Sequence, residues 1–416
     1  MVYILQALND REELVLLDGK KSRECLRSEN VSTKFYCPQC HGEVRMKVGF
    51  VKIPHFSHIS RSTCESFSEP ESAIHLQAKQ QLYEWLKGSH MVVEIEKTYC
   101  NLSQRADVSV VHEDHEYAIE FQRSQLAQEH WNHRTNGYKT HNIIPFWLLS
   151  TDCISPTLNQ ITLSAFHQLF IRYSEALHQF FLLTYDVQSH SFVILEHLLP
   201  LTKNKFFYTK STYEISSLEF PQFPLTSPKL TASTLYTFRS YCARWCGDRV
   251  RYGKGQRDPL LCDFYKEKQS IQLIPPWVGL PLRQGMYLKT SPVEWQSYVF
   301  LLLRKALKRE RSIHLLEAVD TITQCLNQKK LELRVMQTPA YKDKIRLVIS
   351  EYFDLLGKLH IVMKENDRYM LTKNQQYTCI DHIAHKKEVY SQFWKNAAPV
   401  VIEHFNSVSE KSCKNS

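Results

Sequence analysis

The sequence predicts an α+β chain of several domains: a small β-rich N-terminal region, a central unit ordered αβββαβ, and a mainly helical C-terminal region. Three observations predict it. At roughly 100–200 residues per domain, 416 residues exceed a single core. Between about residues 67 and 150, apolar spacing switches from helical to alternating and back. After about residue 160 helical spacing dominates, with one β-rich interval near Phe180–Tyr213. The expected regions are 1–66, 67–155 and 156–416. Within the last, Phe220–Ser227 (FPQFPLTS) reads as a linker, because its prolines disfavour helix and ladder pairing.

The N-terminal region opens with strands over Tyr3–Ala7 and Glu13–Leu17 around a polar turn. Cys37-Pro-Gln-Cys40 then precedes His55-Phe-Ser-His58. Two thiols and two imidazoles are the ligand set of a tetrahedral structural zinc. The two histidines stand closer together than the roughly three-to-five-residue gap of finger patterns. His41 and Cys64 are therefore substitute ligands. Such a metal would supply folding free energy to a segment with little core.

The central unit starts at Ser68-Glu69-Pro70-Glu71, with Ser68 as N-cap and Glu71 at the capping-box position. The helix runs to about Lys87, with Ile74, Ala78, Leu82 and Trp85/Leu86 inward. Glu71, His75 and Lys79 recur every fourth residue as one polar stripe. Met91–Tyr99, Arg105–Val111 and Tyr117–Gln122 read as strands, the last two joined by His112-Glu113-Asp114-His115. A two-residue turn at Glu113-Asp114 pairs His112 with His115 and Val111 with Glu116, which sets Asp107 opposite Glu120. Paired side chains share one face, with Cβ atoms about 5 Å apart. Alternation adds Gln122 to that face. Two close carboxylates repel unless a cation separates them, and a hard divalent ion such as Mg²⁺ or Mn²⁺ suits them. Ala106, Val108, Val110, Tyr117, Ile119 and Phe121 make the other face apolar, so a core side and a site side are expected. A helix over Gln125–Thr140 and a buried strand over Asn142–Ser150 complete the unit.

Composition bounds the chemistry. Glycine is scarce, at 11 residues, and neither G-x-x-x-x-G-K-[ST] nor G-x-G-x-x-G occurs. A P-loop ATPase and a Rossmann dehydrogenase are thereby excluded. The net charge is +9, yet residues 1–150 carry 17 Lys+Arg against 19 Asp+Glu, so the cation excess lies in residues 151–416. A basic half points to a polyanion partner. Residues 228–416 interleave Lys and Arg with aromatics, as single-strand binding surfaces do. Arg244-Trp245, Arg249, Arg251-Tyr252 and Lys254 are the densest cluster. Tyr341–Thr372 reads as a helix followed by a hairpin (Ile361–Met363, Arg368–Leu371), a winged-helix pattern. The 12 cysteines form no disulfide framework. Met1–Glu13 lacks the regions of a secretory signal. No apolar stretch approaches the roughly 18–20 residues of a bilayer span. A cytoplasmic protein without membrane contact is expected.

The element order and the Asp107…Glu120-x-Gln122 constellation resemble the PD-(D/E)xK nuclease core. Across nearly the whole chain, the sequence resembles the bacterial competence protein CoiA family. The resemblance rests on Cys37-x2-Cys40, Lys52–His58 (KIPHFSH), Glu71–Lys79 (ESAIHLQAK), Arg105-Ala106-Asp107, Ala118–Ser124 (AIEFQRS) and Arg134-x3-Tyr138. Pro276–Pro281 (PWVGLP) and Glu294-Trp295-Gln296 extend it. It implies a zinc-finger-like N-terminal region, a nuclease-like domain and a C-terminal domain. It also implies a role in genetic transformation, where incoming single-stranded DNA is recombined into the chromosome with RecA. A site of this type would hold Mg²⁺ or Mn²⁺ on Asp107 and Glu120. Gln122 stands where most PD-(D/E)xK enzymes have Lys, and it orients water without supplying charge. Lys79 is the replacement cation and Glu71 a third carboxylate. Arg105, Arg134, Tyr138, Arg249 and Arg251 are the candidate DNA contacts. The leading expectation is a metal-dependent nuclease for single-stranded or branched DNA. The alternative is a non-catalytic DNA-binding recombination mediator with a degenerate nuclease core. A zinc-binding, RNA-directed factor is a third reading.

Overall fold

The computed structural model describes residues 3–59, 72–89, 91–253, 255–336, 343–372, 380 and 383–407. Cys64, Ser68, Glu71 and Lys254 lie outside the described residues. The chain divides into two compact units. The first comprises Met1–Ile154, Leu183–Ile194 and Thr212–Pro224; the second comprises Ser155–Leu182, Leu195–Ser211 and Leu225–Ser416.

In the first unit, the N-terminal segment forms β1 (Tyr3–Ile4), β2 (Gln6–Asn9), β3 (Leu14–Leu16), α1 (Arg23–Ser32), β4 (Phe35–Tyr36), β5 (Glu43–Lys47) and β6 (His55–His58). The strands make an antiparallel sheet in the order β1-β6-β5-β4-β2-β3. Strand β5 reads EVRMK with only Val44 and Met46 buried, the alternation of a half-buried strand. Those two join Ile4, Leu26, Phe35 and Phe56 in a small core.

Helix α2 (Ala73–Gly88) is capped by Ser72, whose hydroxyl accepts from the His75 N–H, so the observed cap is not Ser68. Leu76, Leu82 and Leu86 form its buried face. The strand expected over Met91–Tyr99 is broken into β7 (Val92–Ile95) and β8 (Thr98–Tyr99), because Glu96 turns inward at φ +52°. After β9 (Gln104–Arg105) come β10 (Val108–His112) and β11 (His115–Gln122). Their register is Val108↔Ile119, Val111↔Glu116 and His112↔His115, as the turn length predicts. Glu113 and Asp114 both have positive φ, the mark of a primed two-residue turn.

Helix α3 (Gln128–Thr140) starts three residues later than expected, since Leu126 is buried in a preceding non-helical segment. It leads into β12 (Ile143–Ser150), which runs parallel to β11 with Glu120 beside Trp147. Strands β7, β10, β11 and β12 thus form a sheet with α2 on one face and α3 on the other. Phe121 meets His75 of α2, while Trp147, in register with Glu120, donates to Thr135 of α3. The side carrying Glu120 is covered by α3. Phe220 is also part of this core, 2% exposed and in ring contact with Tyr117 and Phe146. Burial of an aromatic ring outweighs the proline signal, so Phe220–Ser227 is not a free linker.

The chain continues through β13 (Gln160–Thr162), α4 (Ala165–Gln168), β14 (Ile171–Ser174), β15 (Gln179–Asp186), β16 (Ser191–Pro200) and β17 (Lys205–Glu214). The second unit then contains α5 (Ala232–Tyr252), α6 (Pro259–Lys266), α7 (Pro292–Lys308), β18 (Ile313–His314), α8 (Leu315–Asn327) and α9 (Lys344–Lys358). It ends with β19 (Val362–Glu365), β20 (Arg368–Leu371) and α10 (Ile383–Asn406). Strands β18-β20-β19 form a three-stranded sheet, so the order α7-β18-α8-α9-β19-β20 is that of a winged helix. Among the described residues, no helix is long and apolar enough to cross a membrane.

Candidate active site and metal centre

Asp107 lies one residue before β10, where the ladder ends. Its Oδ2 accepts from the Phe121 N–H at 2.8 Å, taking the place of a backbone acceptor. The same oxygen is 3.0 Å from His75 Nε2. Burial pushes the Asp107 carboxyl up, but His75, the Lys79 charge and the Phe121 N–H outweigh it. The group is held well below the usual carboxylate range. Glu120, next to Phe121 on β11, is 3% exposed. Its Oε1 accepts from the Arg134 guanidinium and from the Tyr138 hydroxyl. Burial raises the Glu120 carboxyl above its ordinary value. Arg134 and Tyr138 pull against that, and the nearby Asp107 charge adds to it. Burial and then the Glu120 charge hold the Tyr138 phenol far above its ordinary value, so it remains a donor.

The structure thus brings Asp107 and Glu120 to one end of the hairpin and adds three partners: His75 from α2, and Arg134 and Tyr138 from α3. His75 is the functional candidate that the residue-by-residue reading missed. Its signal was the Glu71/His75/Lys79 stripe. Tyr138 is fully buried. Arg134 also donates to the Arg105 carbonyl at 2.9 Å. Both α3 residues bond Glu120 and so brace the carboxylate pair.

Two expected members face elsewhere. Lys79 is fully buried and its Nζ donates to Glu96 Oε1 at 2.5 Å. Glu96 Oε2 accepts from the Leu5 N–H at 3.0 Å. Burial pushes Glu96 up, but the Lys79 and Arg105 charges and these bonds hold it below the usual range. Gln122 donates through Nε2 to the Ser124 carbonyl at 2.9 Å, across the end of β11. Asp107, Glu120 and His75 do not bring one donor atom each within 4.8 Å of one another. Asp107 Oδ1 and Glu120 Oε2, both hard oxygens, accept no hydrogen bond among the described residues.

A tighter donor cluster lies in the N-terminal sheet. One ligand atom each of Cys37, Cys40 and His58 falls within 4.8 Å of the others, with Cys40 Sγ 3.4 Å from His58 Nε2. Burial, with the Arg105 charge, lowers the His58 pKa and favours the neutral imidazole that a metal requires. His55 is not in this cluster. Its Nδ1 is 2.8 Å from the Ile53 carbonyl and its ring packs on Tyr3. Alternation explains the correction. His55 and His58 are three apart on one strand, so they point to opposite faces. Among the described residues His41 is also outside the cluster.

Comparison with known proteins matches this arrangement in order. The competence protein CoiA N-terminal domain model matches residues 18–67, the nuclease-like domain model 71–228, and the C-terminal domain model 240–385. The chain belongs to the competence protein CoiA family. It is 28% identical over 345 residues to the Bacillus subtilis (strain 168) competence protein CoiA, covering 82% of this chain and 90% of that protein. No solved structure matches it.

Family membership makes sense of two segments in the second unit. Gln296 Oε1 accepts from the Gly279 and Leu280 N–H groups at 2.7 and 2.8 Å, and its Nε2 donates to the Leu280 carbonyl. Gly279 has φ +93°, and a Cβ there would meet Val293 at 3.0 Å. The Pro276–Pro281 and Glu294–Gln296 motifs therefore meet as one buried clamp. Arg249 forms a bidentate pair with Asp258 and a further pair with Glu294. Its charge is paired with these two carboxylates inside the fold. Arg251 is exposed.

Proposed function

We propose that the nuclease-like domain of this CoiA family member hydrolyses phosphodiester bonds of single-stranded or branched DNA with Mg²⁺ or Mn²⁺. The setting would be recombination of incoming DNA alongside a RecA-type recombinase in the cytoplasm. One observation carries the reading: Asp107 and Glu120 are adjacent, buried, and each retains one carboxylate oxygen that accepts no hydrogen bond among the described residues. Those oxygens would hold the cation. When bound, it would lower the pKa of a coordinated water and offset charge on the scissile phosphate. His75 and the Phe121 N–H orient Asp107, while Arg134 and Tyr138 orient Glu120. Gln122 supplies no charge, and Lys79 acts on Glu96 rather than on substrate. Zinc on Cys37, Cys40 and His58 is proposed as structural, since thiolates with imidazole are its donor set.

The non-catalytic reading has its own support. Glu120 already has a counter-charge in Arg134 and a hydrogen bond from the Tyr138 hydroxyl, so one of the two carboxylates is paired without a metal. One assay separates the two. Full-length protein with Mn²⁺ is incubated with single-stranded and branched DNA, beside Asp107→Asn and Glu120→Gln. The nuclease reading expects cutting by wild type, no cutting by either variant, and equal DNA binding by all three. Equal binding with no cutting by any of them overturns it and leaves the mediator.

A further inference from the structure

The basic second unit needs a surface on which a strand could lie, and the winged helix is not it. In that topology the helix before the wing, here α9, would read DNA. Here that helix is engaged within the unit. Glu351 accepts from the Arg283 and Gln284 N–H groups, Tyr352 donates to the Trp277 carbonyl, and Lys358 Nζ lies 3.1 Å from His404.

Helix α5 is different. Tyr241, Trp245 and Tyr252 are spaced by four and seven residues, so they stand in one row along the helix. All three line a groove of about 660 Å³. At about 1.5 Å per residue the row spans roughly 16 Å, or some four to five nucleotides at a rise of ~3.4 Å each. Tyr252 is 80% exposed. Cations flank the rings. Arg244 lies 5.0 Å from the Tyr241 ring, Lys205 approaches the same ring at 5.5 Å, and Arg249 sits 4.8 Å from Trp245. Arg249 is held there by Asp258 and Glu294, so its position is preset. Arg244, Lys205 and Arg251 have no carboxylate partner among the described residues. Two carboxylates line the groove: Asp258, which is paired with Arg249, and Asp248, which opposes the remaining cations.

We infer that this face of α5 binds single-stranded nucleic acid, its bases stacking on Tyr241, Trp245 and Tyr252 and its phosphates meeting Arg244, Lys205 and Arg251. An aromatic row beside free cations is what an unpaired strand requires, because every base has a π-face and every linkage a charge. A duplex hides its base faces and gains nothing from the rings. Neither Asp107 nor Glu120 takes part in this binding, so it does not depend on cutting.

The test uses the full-length, zinc-loaded protein with no Mg²⁺ or Mn²⁺ added, and oligomer length is checked on a gel after each reading. Anisotropy is read with labelled dT20, U20 and a 20-bp duplex. Trp245→Ala and Tyr252→Ala are each expected to weaken dT20 binding on the order of fivefold or more. Arg244→Ala weakens it with a shallower salt dependence, and Asp248→Asn strengthens it. Tyr252 and Arg244 are exposed, so those variants fold even if Trp245→Ala does not. In parallel, photocrosslinking with 5-iododeoxyuridine oligomers should label residues 241–252. Tighter binding of the duplex, unchanged dT20 affinity in Tyr252→Ala and Arg244→Ala, or crosslinks confined to other segments each overturn the proposal. If U20 binds as dT20 does, the face reads stacking rather than sugar, which is consistent with it.

Discussion

Replacing Lys79 by Met strips Glu96 of its cation while leaving the carboxylate fully buried. Breaking a buried ion pair from one side costs about 3–5 kcal/mol, because the remaining charge is uncompensated. Here the Leu5 N–H and the Arg105 charge remain near Glu96. The expected loss is therefore at the low end, about 3 kcal/mol. At about 1.36 kcal/mol per tenfold, that raises the local opening equilibrium roughly a hundredfold. A chain of two units has no single unfolding free energy, so the readout is amide hydrogen exchange. Peptides spanning 3–9 and 92–97 report on it, since the Leu5 amide donates to Glu96. Lys79→Met should lower protection there about a hundredfold. Lys79→Met with Glu96→Gln should recover much of it, because no buried charge then lacks a partner. Protection changed less than about threefold by Lys79→Met would refute the reasoning. Combined with abolished DNA cutting, that result would return Lys79 to the catalytic role expected from the sequence.

Two further outcomes follow from the same geometry. His58→Gln should drop bound zinc well below one equivalent by atomic absorption, whereas His55→Gln should retain it, since His55 Nδ1 is turned to Ile53. Asp107 titrates below its unfolded value of about 3.9. The stability it contributes is therefore full above that value and is lost as pH falls through the depressed folded value. The difference in amide protection of peptides spanning 108–112 and 115–122 between wild type and Asp107→Asn, compared at each pH, should be largest near neutrality and shrink below about pH 4. A difference that grows on acidification would refute the assignment.

The proximity of Asp107 to Glu120 was legible because the two flank one hairpin. Strand alternation and a two-residue turn set their neighbourhood without reference to the rest of the chain. The Cys37-x2-Cys40 turn was legible for the same reason. His55 was misread because a Cys/His pattern counts donors, while the period of two in β6 sends His55 and His58 to opposite faces. Phe220 was misread because prolines mark a break in pairing but say nothing about where the intervening ring is buried.

The sequence alone determined the order of elements, the hairpin register, the two carboxylates and the exclusion of a nucleotide loop. These follow from local period, turn length and the residues present. Only the tertiary structure decided what meets the carboxylates. Which turn of α2 faces Asp107 is set by burying Leu76, Leu82 and Leu86. Which turn of α3 faces Glu120 is set by burying Trp131, Thr135 and Tyr138. Those rotations brought His75 to Asp107 and Arg134 and Tyr138 to Glu120, and carried Lys79 past both to Glu96. Helix rotation on a sheet is fixed by the whole buried face, so no short motif encodes it.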